Sequence, residues 1–371
     1  MIGALLPRAH RCERGRTTER AACRRAAVPV IAALSILLSG CAAGYVMRAG
    51  YEEARLLARR QPIDAVLASD IDARTRHQLE LTLAARRFAR TALGLAVGGS
   101  YRSIAAVEQS QVVQVVTAAP RDRLVPYTWW FPIVGRIPYR AYFDPAEATA
   151  LAAALERDGY DTYVRPAVAF STLGWFDDPL LDTLLRYDEE RLAETIFHEL
   201  LHNTLYVPGQ AAFNESFATF VGYRGCEAFF VANGEAARAD RCAARWADAV
   251  TFSAFLRRLI DALQAAYARS VSEAERSAIF ARARVELALQ PWRTNEYSGF
   301  GQETLNNAVI LHDQLYADRL QLFDAVYARF GGDLRATVAW VQAVVADADD
   351  PFAAVEGGLD QGSIAASRRM P

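Results

Sequence analysis

Residues 197–220 read FHELLHNTLYVPGQAAFNESFATF, and the fold is inferred from the pattern in this stretch. His198 and His202 stand four positions apart, so on a helix they share one face, with Cβ atoms roughly 5–6 Å apart. That spacing allows two imidazoles to bind one zinc ion. Glu199 directly follows the first histidine, where its carboxylate can reach a metal-bound water as general base.

A third ligand is expected, because catalytic zinc sites usually have three protein ligands and two histidines with one glutamate form one such set. Glu215 is the candidate, and twelve residues separate it from His202. Pro208-Gly209 lies between them. This pair predicts a turn that returns a second helix, about residues 212–232, onto the first.

The first helix is predicted from an acidic start and an apolar stripe. Asp188 suits an N-cap, and the next two residues are acidic, as a first turn prefers. The stripe consists of Ile196, Phe197, Leu200, Leu201 and Leu205. A chance motif on a core helix is the alternative reading. Two histidines and a glutamate would be costly to bury unpaired, so the pattern favours a metal.

The composition is that of a folded protein without a nucleic-acid surface. The 371 residues are 52% hydrophobic, enough for one large domain or two, and the formal net charge is −2. After residue 41, no cluster of Lys and Arg is interleaved with aromatic residues. We therefore expect no nucleic-acid partner.

The beginning of the chain resembles an export signal. An arginine-rich stretch is followed by a thirteen-residue apolar run, residues 26–38, which is too short for a comfortable transmembrane helix. The run ends in Leu38-Ser39-Gly40-Cys41, which resembles the lipobox of bacterial lipoproteins, so Cys41 is the predicted lipidation site. An ordinary secretory peptide or an uncleaved anchor is the alternative. Because Ala42 rather than aspartate follows, we expect a lipid anchor in the outer membrane, facing the periplasm.

Cys226 and Cys242 are the cysteines that remain after this leader and Cys41. An even pair in an oxidising compartment predicts a disulfide. Two buried free thiols are the alternative.

The remaining patterns predict an α+β fold, mostly helical and zincin-like, with a small sheet ahead of the metal helix. Strand patterns before residue 131 and at 159–164 flank a helix that starts at Asp144-Pro145. The expected order is a signal peptide at 1–40, a helical segment at 41–110, a main domain at 111–346 and a disordered tail at 347–371. Within the main domain we expect a sheet-containing part at 111–187, metal helices at 188–232, and C-terminal helices at 250–346 that open with an antiparallel pair from residue 252.

Residues 170–179, FSTLGWFDDP, combine aromatic residues, a glycine and two adjacent acids. An edge strand ahead of the metal helix can bind a substrate backbone by strand addition. We therefore expect this segment to line a cleft, with Trp175 and Asp177 contacting the substrate. A surface turn with aromatic residues packed beneath it is the alternative.

Short motifs along the chain are shared with a known family. They lie at residues 44–45, 60–63, 99–103, 138–143, 171–181, 198–202, 213–220 and 305–308. Together with the lipobox they resemble an aminopeptidase family of bacterial lipoproteins that is similar to the gluzincins. The resemblance implies that the main domain is a zinc peptidase domain, with zinc held by His198, His202 and Glu215. It also implies Glu199 as base and peptide hydrolysis as the activity.

Two departures from the family pattern stand out. Trp130 and Arg136 occupy positions around which many relatives carry a cysteine pair. Thr219 stands where thermolysin-like gluzincins have an aspartate that orients a histidine. Because metal-ligating histidines almost always have a partner on the other ring nitrogen, we expect Asn214 or Asn307 to supply it.

The sequence leaves other parts of the site open. An oxyanion needs a hydrogen-bond donor, and the candidates are Tyr206, Tyr297 and Tyr316, of which Tyr206 and Tyr297 are also candidate substrate contacts. A free substrate amine needs an acidic group, and the candidates are Asp177, Asp178 and Glu296. The leading prediction is a zinc-dependent aminopeptidase acting on peptides. A zinc endopeptidase of the cell envelope and a non-catalytic lipoprotein with a structural metal site are the alternatives, and Glu199 argues against the second.

Overall fold

The computed structural model describes residues 50–51, 54–107, 113–131, 135–166, 177–297, 299–300 and 304–367, with side chains described as far as residue 360. The predicted signal peptide, Cys41 and Trp175 lie outside the described residues, so their assignments stay predictions. The chain divides into two compact units, Met1–Arg55 and Leu56–Pro371. The helices and strands named next belong to the second unit. Within the described part, no helix is both long and apolar enough to cross a membrane.

The second unit is mostly helical with small sheets, which confirms the predicted α+β class. Its helices are α1 (Ile63–Leu67), α2 (Ala73–Phe88, continued by a π-helix at Ala89–Leu93), α3 (Pro145–Arg157), α4 (Glu189–His202), α5 (Ala211–Ala232), α6 (Ala236–Tyr267), α7 (Glu273–Ala288), α8 (Asn307–Ala317), α9 (Leu320–Arg329), α10 (Leu334–Val345) and α11 (Pro351–Ser367). Its strands are β1 (Gln61–Pro62), β2 (Ser103–Ala105), β3 (Gln114–Pro120), β4 (Trp129–Phe131), β5 (Gly135–Ile137), β6 (Tyr139–Tyr142), β7 (Tyr160–Pro166) and β8 (Leu180–Leu181). Residues 56–110 and the tail belong to this same compact unit.

Helices α4 and α5 form the pair predicted around the histidine motif. The Asp188 side chain caps α4 by accepting a hydrogen bond from the Arg191 N–H at 2.7 Å. Two glycines of α5 face α4: an added Cβ would lie 3.0 Å from the Glu194 carbonyl oxygen at Gly222, and 3.0 Å from the Phe197 ring at Gly225. The missing side chains allow the two helices to approach closely, which brings α5 against the histidine-bearing face of α4.

A three-stranded antiparallel sheet has β3 between β6 and β7, and its register decides which side chains face α8. Val116 packs with residues of α3, and its cross-strand partner Val164 shares that face. Successive strand residues point to opposite faces. Tyr139 and Tyr163, which both pair with Thr117, therefore lie on the other face, together with Arg165. That face packs on α8, where the rings of Tyr163 and His312 lie 5.4 Å apart.

The segment predicted to be helical at 41–110 also contains strands, which corrects the prediction. Strand β2 pairs with β1 and, in parallel, with β8, where Ile104 lies opposite Leu180. These strands have two or three residues each, too few to produce a recognisable alternation of apolar and polar positions. The resulting sheet joins the N-terminal part of the unit to the residues just ahead of α4.

Helix α6 begins at Ala236, well before the predicted start at residue 252. Its first half carries Cys242, which forms the predicted disulfide with Cys226 of α5, and Trp246, which is buried. The predicted start was therefore too late, although the alanine-rich sequence of this first half favours a helix.

The tail predicted to be disordered is wrong for residues 351–367, which form α11. The Asp350 side chain accepts a hydrogen bond from the Ala353 N–H at 3.0 Å, as a helix cap does. Phe352 and Val355 are buried, and the Phe352 ring lies 5.3 Å from the Phe213 ring of α5. Tertiary packing of one apolar turn therefore outweighs a composition that is rich in glycine and acid.

Candidate metal centre

The three predicted ligands converge at one point between α4 and α5. The Nε2 atom of His198 lies 3.2 Å from Oε2 of Glu215 and 3.3 Å from Nε2 of His202, and the third separation, from His202 Nε2 to Glu215 Oε2, is 3.6 Å. A tetrahedral zinc with bonds of about 2.0–2.1 Å places its ligand atoms about 3.3–3.4 Å apart. The observed triangle has that size, so the group could hold a metal ion.

The charges of the three side chains also suit a cation. Burial alone would raise the pKa of Glu215, but His202 and His198 hold that pKa well below its ordinary value. Burial lowers the pKa of His202, and Glu215 more than offsets this effect. The carboxylate is thus anionic at neutral pH and lies against two ring nitrogens, which is the donor chemistry of a His₂Glu metal site.

Glu199 is partly buried beside the ligands. Burial raises the pKa of its carboxyl, and the electrostatic influence of His198 and His202 acts in the opposite direction. Glu215 and Asp178 raise it further. A carboxyl whose pKa is moved upward in this way is better suited to accept and return a proton near neutral pH.

Asp178 lies on the same side of the site as Glu199. It is 4% exposed, its backbone N–H donates to the Ser100 hydroxyl at 3.2 Å, and its carbonyl accepts from the Tyr101 N–H at 2.8 Å. Tyr101 is also buried and has a left-handed backbone (φ 60°), which is uncommon outside glycine. The charges of Glu199 and Asp178 both raise the pKa of Tyr101, after burial. The 98–101 turn therefore forms one wall beside the proposed base.

Tyr316 lies against His198. Its ring stacks on the His198 ring, with centroids 6.2 Å apart and planes at 27°. Burial raises its pKa, and the charge of Glu215 adds to the effect. Ser216 fixes this end of α8 beside the ligand, because its hydroxyl donates to the Leu315 carbonyl at 2.8 Å and accepts from the Asp318 N–H at 2.9 Å.

Two more tyrosines lie within the electrostatic reach of Glu215. Burial, followed by the Glu215 charge, raises the pKa of Tyr139 on β6 and of Tyr206 in the turn between α4 and α5. The structure thus brings Tyr206, a predicted site residue, close to the ligands.

Neither asparagine predicted to support a histidine does so. Asn214 accepts from the Val207 N–H at 2.9 Å and donates to the Val207 carbonyl at 2.8 Å, so its amide closes the turn before α5. Asn307 accepts from the Tyr267 hydroxyl at 2.7 Å and donates to the Pro120 carbonyl at 2.8 Å. Both amides are thus hydrogen-bonded to other groups, which could not be recognised as their partners from the sequence. The Nδ1 atom of His202 is buried and has no hydrogen-bond partner within the part of the chain that the structure describes.

The substrate roles predicted for Asp177 and Tyr297 stay predictions, and both side chains also have partners within the fold. The Asp177 carboxylate accepts a hydrogen bond from the Gly99 N–H at 2.7 Å, and so stabilises the turn beside Tyr101. Tyr297 stacks on Phe252 at 4.3 Å between ring centroids, and its hydroxyl is hydrogen-bonded to Tyr223. Both side chains therefore have structural partners.

Sequence reasoning missed residues that lie near the ligands, namely Tyr101, Tyr139, Arg165 and Glu194. Tyr139 and Arg165 lie on two different strands, β6 and β7. Pairing of β6 and β7 with β3 is needed to show that they share a face. No local pattern marks Tyr101 or Glu194.

Glu194 lies one turn before His198 on α4 and provides a pH-dependent prediction. Burial and the charge of Glu296 raise its pKa to about 8. Between about pH 4.5 and 8 the folded protein keeps a proton that the unfolded chain releases, so Glu194 costs stability increasingly as pH rises. In zinc-free protein, the free energy of unfolding of Glu194→Gln should therefore rise relative to that of the wild type as pH increases. We expect a difference of about 2 kcal/mol at pH 8, because the side chain is partly exposed.

Urea unfolding at pH 5, 6.5 and 8 measures this difference. Glu189→Gln is the matched control on the same helix. Burial raises the pKa of Glu189, but hydrogen bonding and Arg238 outweigh burial and lower that pKa. The stability of this variant relative to the wild type should therefore not increase with pH. If the free energies of unfolding of Glu194→Gln and the wild type differ by the same amount at all three pH values, Glu194 does not keep its proton in the folded protein.

The fold and the site together define a class: a mostly helical α+β protein in which two adjacent helices present a His-His-Glu group suited to a metal ion. The model of a family described as "Putative aminopeptidase" matches residues 44–351 of this sequence, and the chain belongs to that family. No curated protein and no solved structure matches it significantly.

Proposed function

We propose that the chain is a zinc-dependent peptidase that removes residues from the free N-terminus of peptides. The observation that carries the proposal is the triangle of ligand atoms of His198, His202 and Glu215, whose sides of 3.2, 3.3 and 3.6 Å match a tetrahedral zinc site. Membership of the family supports a peptidase in coarse terms. The donor set and the adjacent Glu199 suit a zincin-like, gluzincin-type site.

The side chains around the triangle have complementary roles. A zinc ion held there would act as a Lewis acid toward a peptide carbonyl and would lower the pKa of water. Glu199 accepts the proton of the attacking water and returns it to the leaving amine. Tyr316 is the best-placed donor to the developing oxyanion, because its ring stacks on His198 and its raised pKa keeps the hydroxyl protonated.

The proposal includes a location in the cell envelope. The apolar run and the lipobox-like residues before Cys41 support a lipid anchor in the outer membrane, with the enzyme facing the periplasm. The disulfide between Cys226 and Cys242 suits an oxidising compartment. Labelling of cells with radioactive palmitate tests the anchor. Recovery of the full-length protein without radioactivity would exclude it.

The function is tested on the full chain by zinc analysis and by hydrolysis of two matched peptides. Plasma mass spectrometry gives the zinc content. The peptides have one sequence, with the N-terminus free in one and acetylated in the other. Cleavage of the free peptide alone supports the aminopeptidase. Cleavage of both supports the envelope endopeptidase instead. Bound zinc without cleavage of either supports the structural-metal alternative.

A further inference from the structure

Arg165 is a partly buried cation near the proposed metal ligands. It lies near the end of β7, on the sheet face that packs against α8. Its Nη2 donates to the Tyr316 hydroxyl at 3.3 Å, and its guanidinium carbon lies 5.8 Å from the Tyr316 ring centroid. Since Tyr316 stacks on His198, the guanidinium is separated from a metal ligand by a single side chain.

Several other buried or half-buried arginines of this unit form ion pairs. Arg276 contacts Asp161, Arg245 binds Asp188 at 2.6 Å, and Arg224 binds Asp324 at 2.7 Å. Among the described residues, no carboxylate forms an ion pair with Arg165, and its Nε is buried with no hydrogen-bond partner. A partly buried charge without a counter-charge lowers the stability of the folded protein, so Arg165 has a free-energy cost that a bound anion would reduce.

The neighbours of Arg165 leave that positive charge unmatched. His312, on the same side of α8 as Tyr316, is buried, and burial together with Arg165 lowers its pKa to about 3, so it is neutral. Tyr316 is neutral as well. The charge of Glu215 raises the pKa of both His312 and Tyr316, and Glu215 is itself matched by the two histidines. This wall of the site therefore has the charge that an incoming anion would complement.

We propose that Arg165 binds a carboxylate of the substrate within about two residues of the bond that is cleaved. Guanidinium groups bind carboxylates through paired N–H donors. The His198 ring centroid and the Arg165 guanidinium carbon lie 6.2 and 5.8 Å from the Tyr316 ring centroid, so a short stretch of substrate can reach from one to the other. The carboxylate is either the C-terminus of a di- or tripeptide or an acidic side chain next to the cleaved bond. This inference rests on the proposed function, because it names the substrate class of the same site.

The test compares four peptides with free N-termini on the full, zinc-loaded chain. Leu-Ala and Leu-Ala-amide differ only in the C-terminal carboxylate, whereas Leu-Asp-amide and Leu-Asn-amide differ only in the side-chain carboxylate. We expect kcat/KM to be about tenfold to a hundredfold higher for the acid of at least one pair. The pair that shows the preference identifies the source of the carboxylate. Equal kcat/KM within both pairs overturns the proposal.

Variants assign the preference to Arg165. Arg165→Met should abolish it, mainly through KM, and Arg165→Lys should keep part of it, since lysine supplies charge without the paired donors. Arg140→Met is the matched control: Arg140 lies on the opposite face of the same sheet, over Tyr142, and its loss should leave the preference intact. If Arg165→Met lowers kcat equally for acids and amides, Arg165 only positions Tyr316, and the proposal fails.

A binding measurement separates this inference from the proposed function. Isothermal titration of zinc-free protein with Leu-Ala, Leu-Asp-amide and their two uncharged counterparts does not depend on turnover. Tighter binding of one acid by the wild type, lost in Arg165→Met, supports the carboxylate site even if no peptide is cleaved. Hydrolysis of all four peptides at equal rates, with equal binding, leaves the peptidase proposal standing and removes the role given to Arg165.

Discussion

Glu199→Gln is expected to lower kcat by about 10²–10⁴-fold while zinc content stays unchanged. Glutamine keeps the size of the side chain and its hydrogen-bonding oxygen, but it cannot take a proton from water. The ligands His198, His202 and Glu215 are untouched, so their triangle stays intact. Steady-state hydrolysis of a free-N-terminus peptide, beside zinc analysis of the same preparation, measures both quantities.

Glu189→Gln is the matched control, because it makes the same chemical change at the half-buried start of the same helix, away from the ligands. That variant should retain full turnover. Wild-type kcat in Glu199→Gln would show that another group accepts the proton, and the mechanism given above would be withdrawn. Loss of zinc together with loss of turnover would instead assign Glu199 to holding the metal site.

Glu215→Ala is expected to remove the bound zinc, and with it all turnover. Two histidines on adjacent turns of α4 remain, one short of the three protein ligands that catalytic zinc sites usually have. Zinc that binds only the folded state stabilises it, by about 4 kcal/mol when free zinc is a thousandfold above its dissociation constant. Thermal unfolding of the wild type should therefore shift upward when zinc is added, and that of the variant should not.

Glu227→Ala provides the comparison on the same helix, since Glu227 pairs with Arg224 away from the ligands. It should bind zinc as the wild type does and show the same zinc-dependent shift. Stoichiometric zinc in Glu215→Ala would exclude Glu215 as a ligand. The site would then require a different third donor.

Local patterns were enough to predict the helices that carry the ligands. Hydrogen bonds within one turn set a helix start, so the Asp188 cap could be predicted from its own neighbours. The four-residue spacing of His198 and His202 fixes their shared face by helix geometry alone. Glu215 required a guess about the turn between two helices, which Pro208-Gly209 supported. The structure brings all three ligand atoms together.

The sequence by itself determined the ligand-bearing helices, the choice of donor atoms and the mostly helical class, because each depends on residues within a few positions of one another. Only the tertiary structure decided what surrounds the ligands. Tyr139, Arg165 and Tyr316 come from two strands and a helix far apart in the chain. Strand register places Tyr139 and Arg165 on the sheet face that packs against the helix of Tyr316. Asn214 has the right chemistry for a histidine partner, but folding gives it the Val207 backbone instead. Side chains choose partners by proximity in space, and that proximity is set by packing across the whole unit.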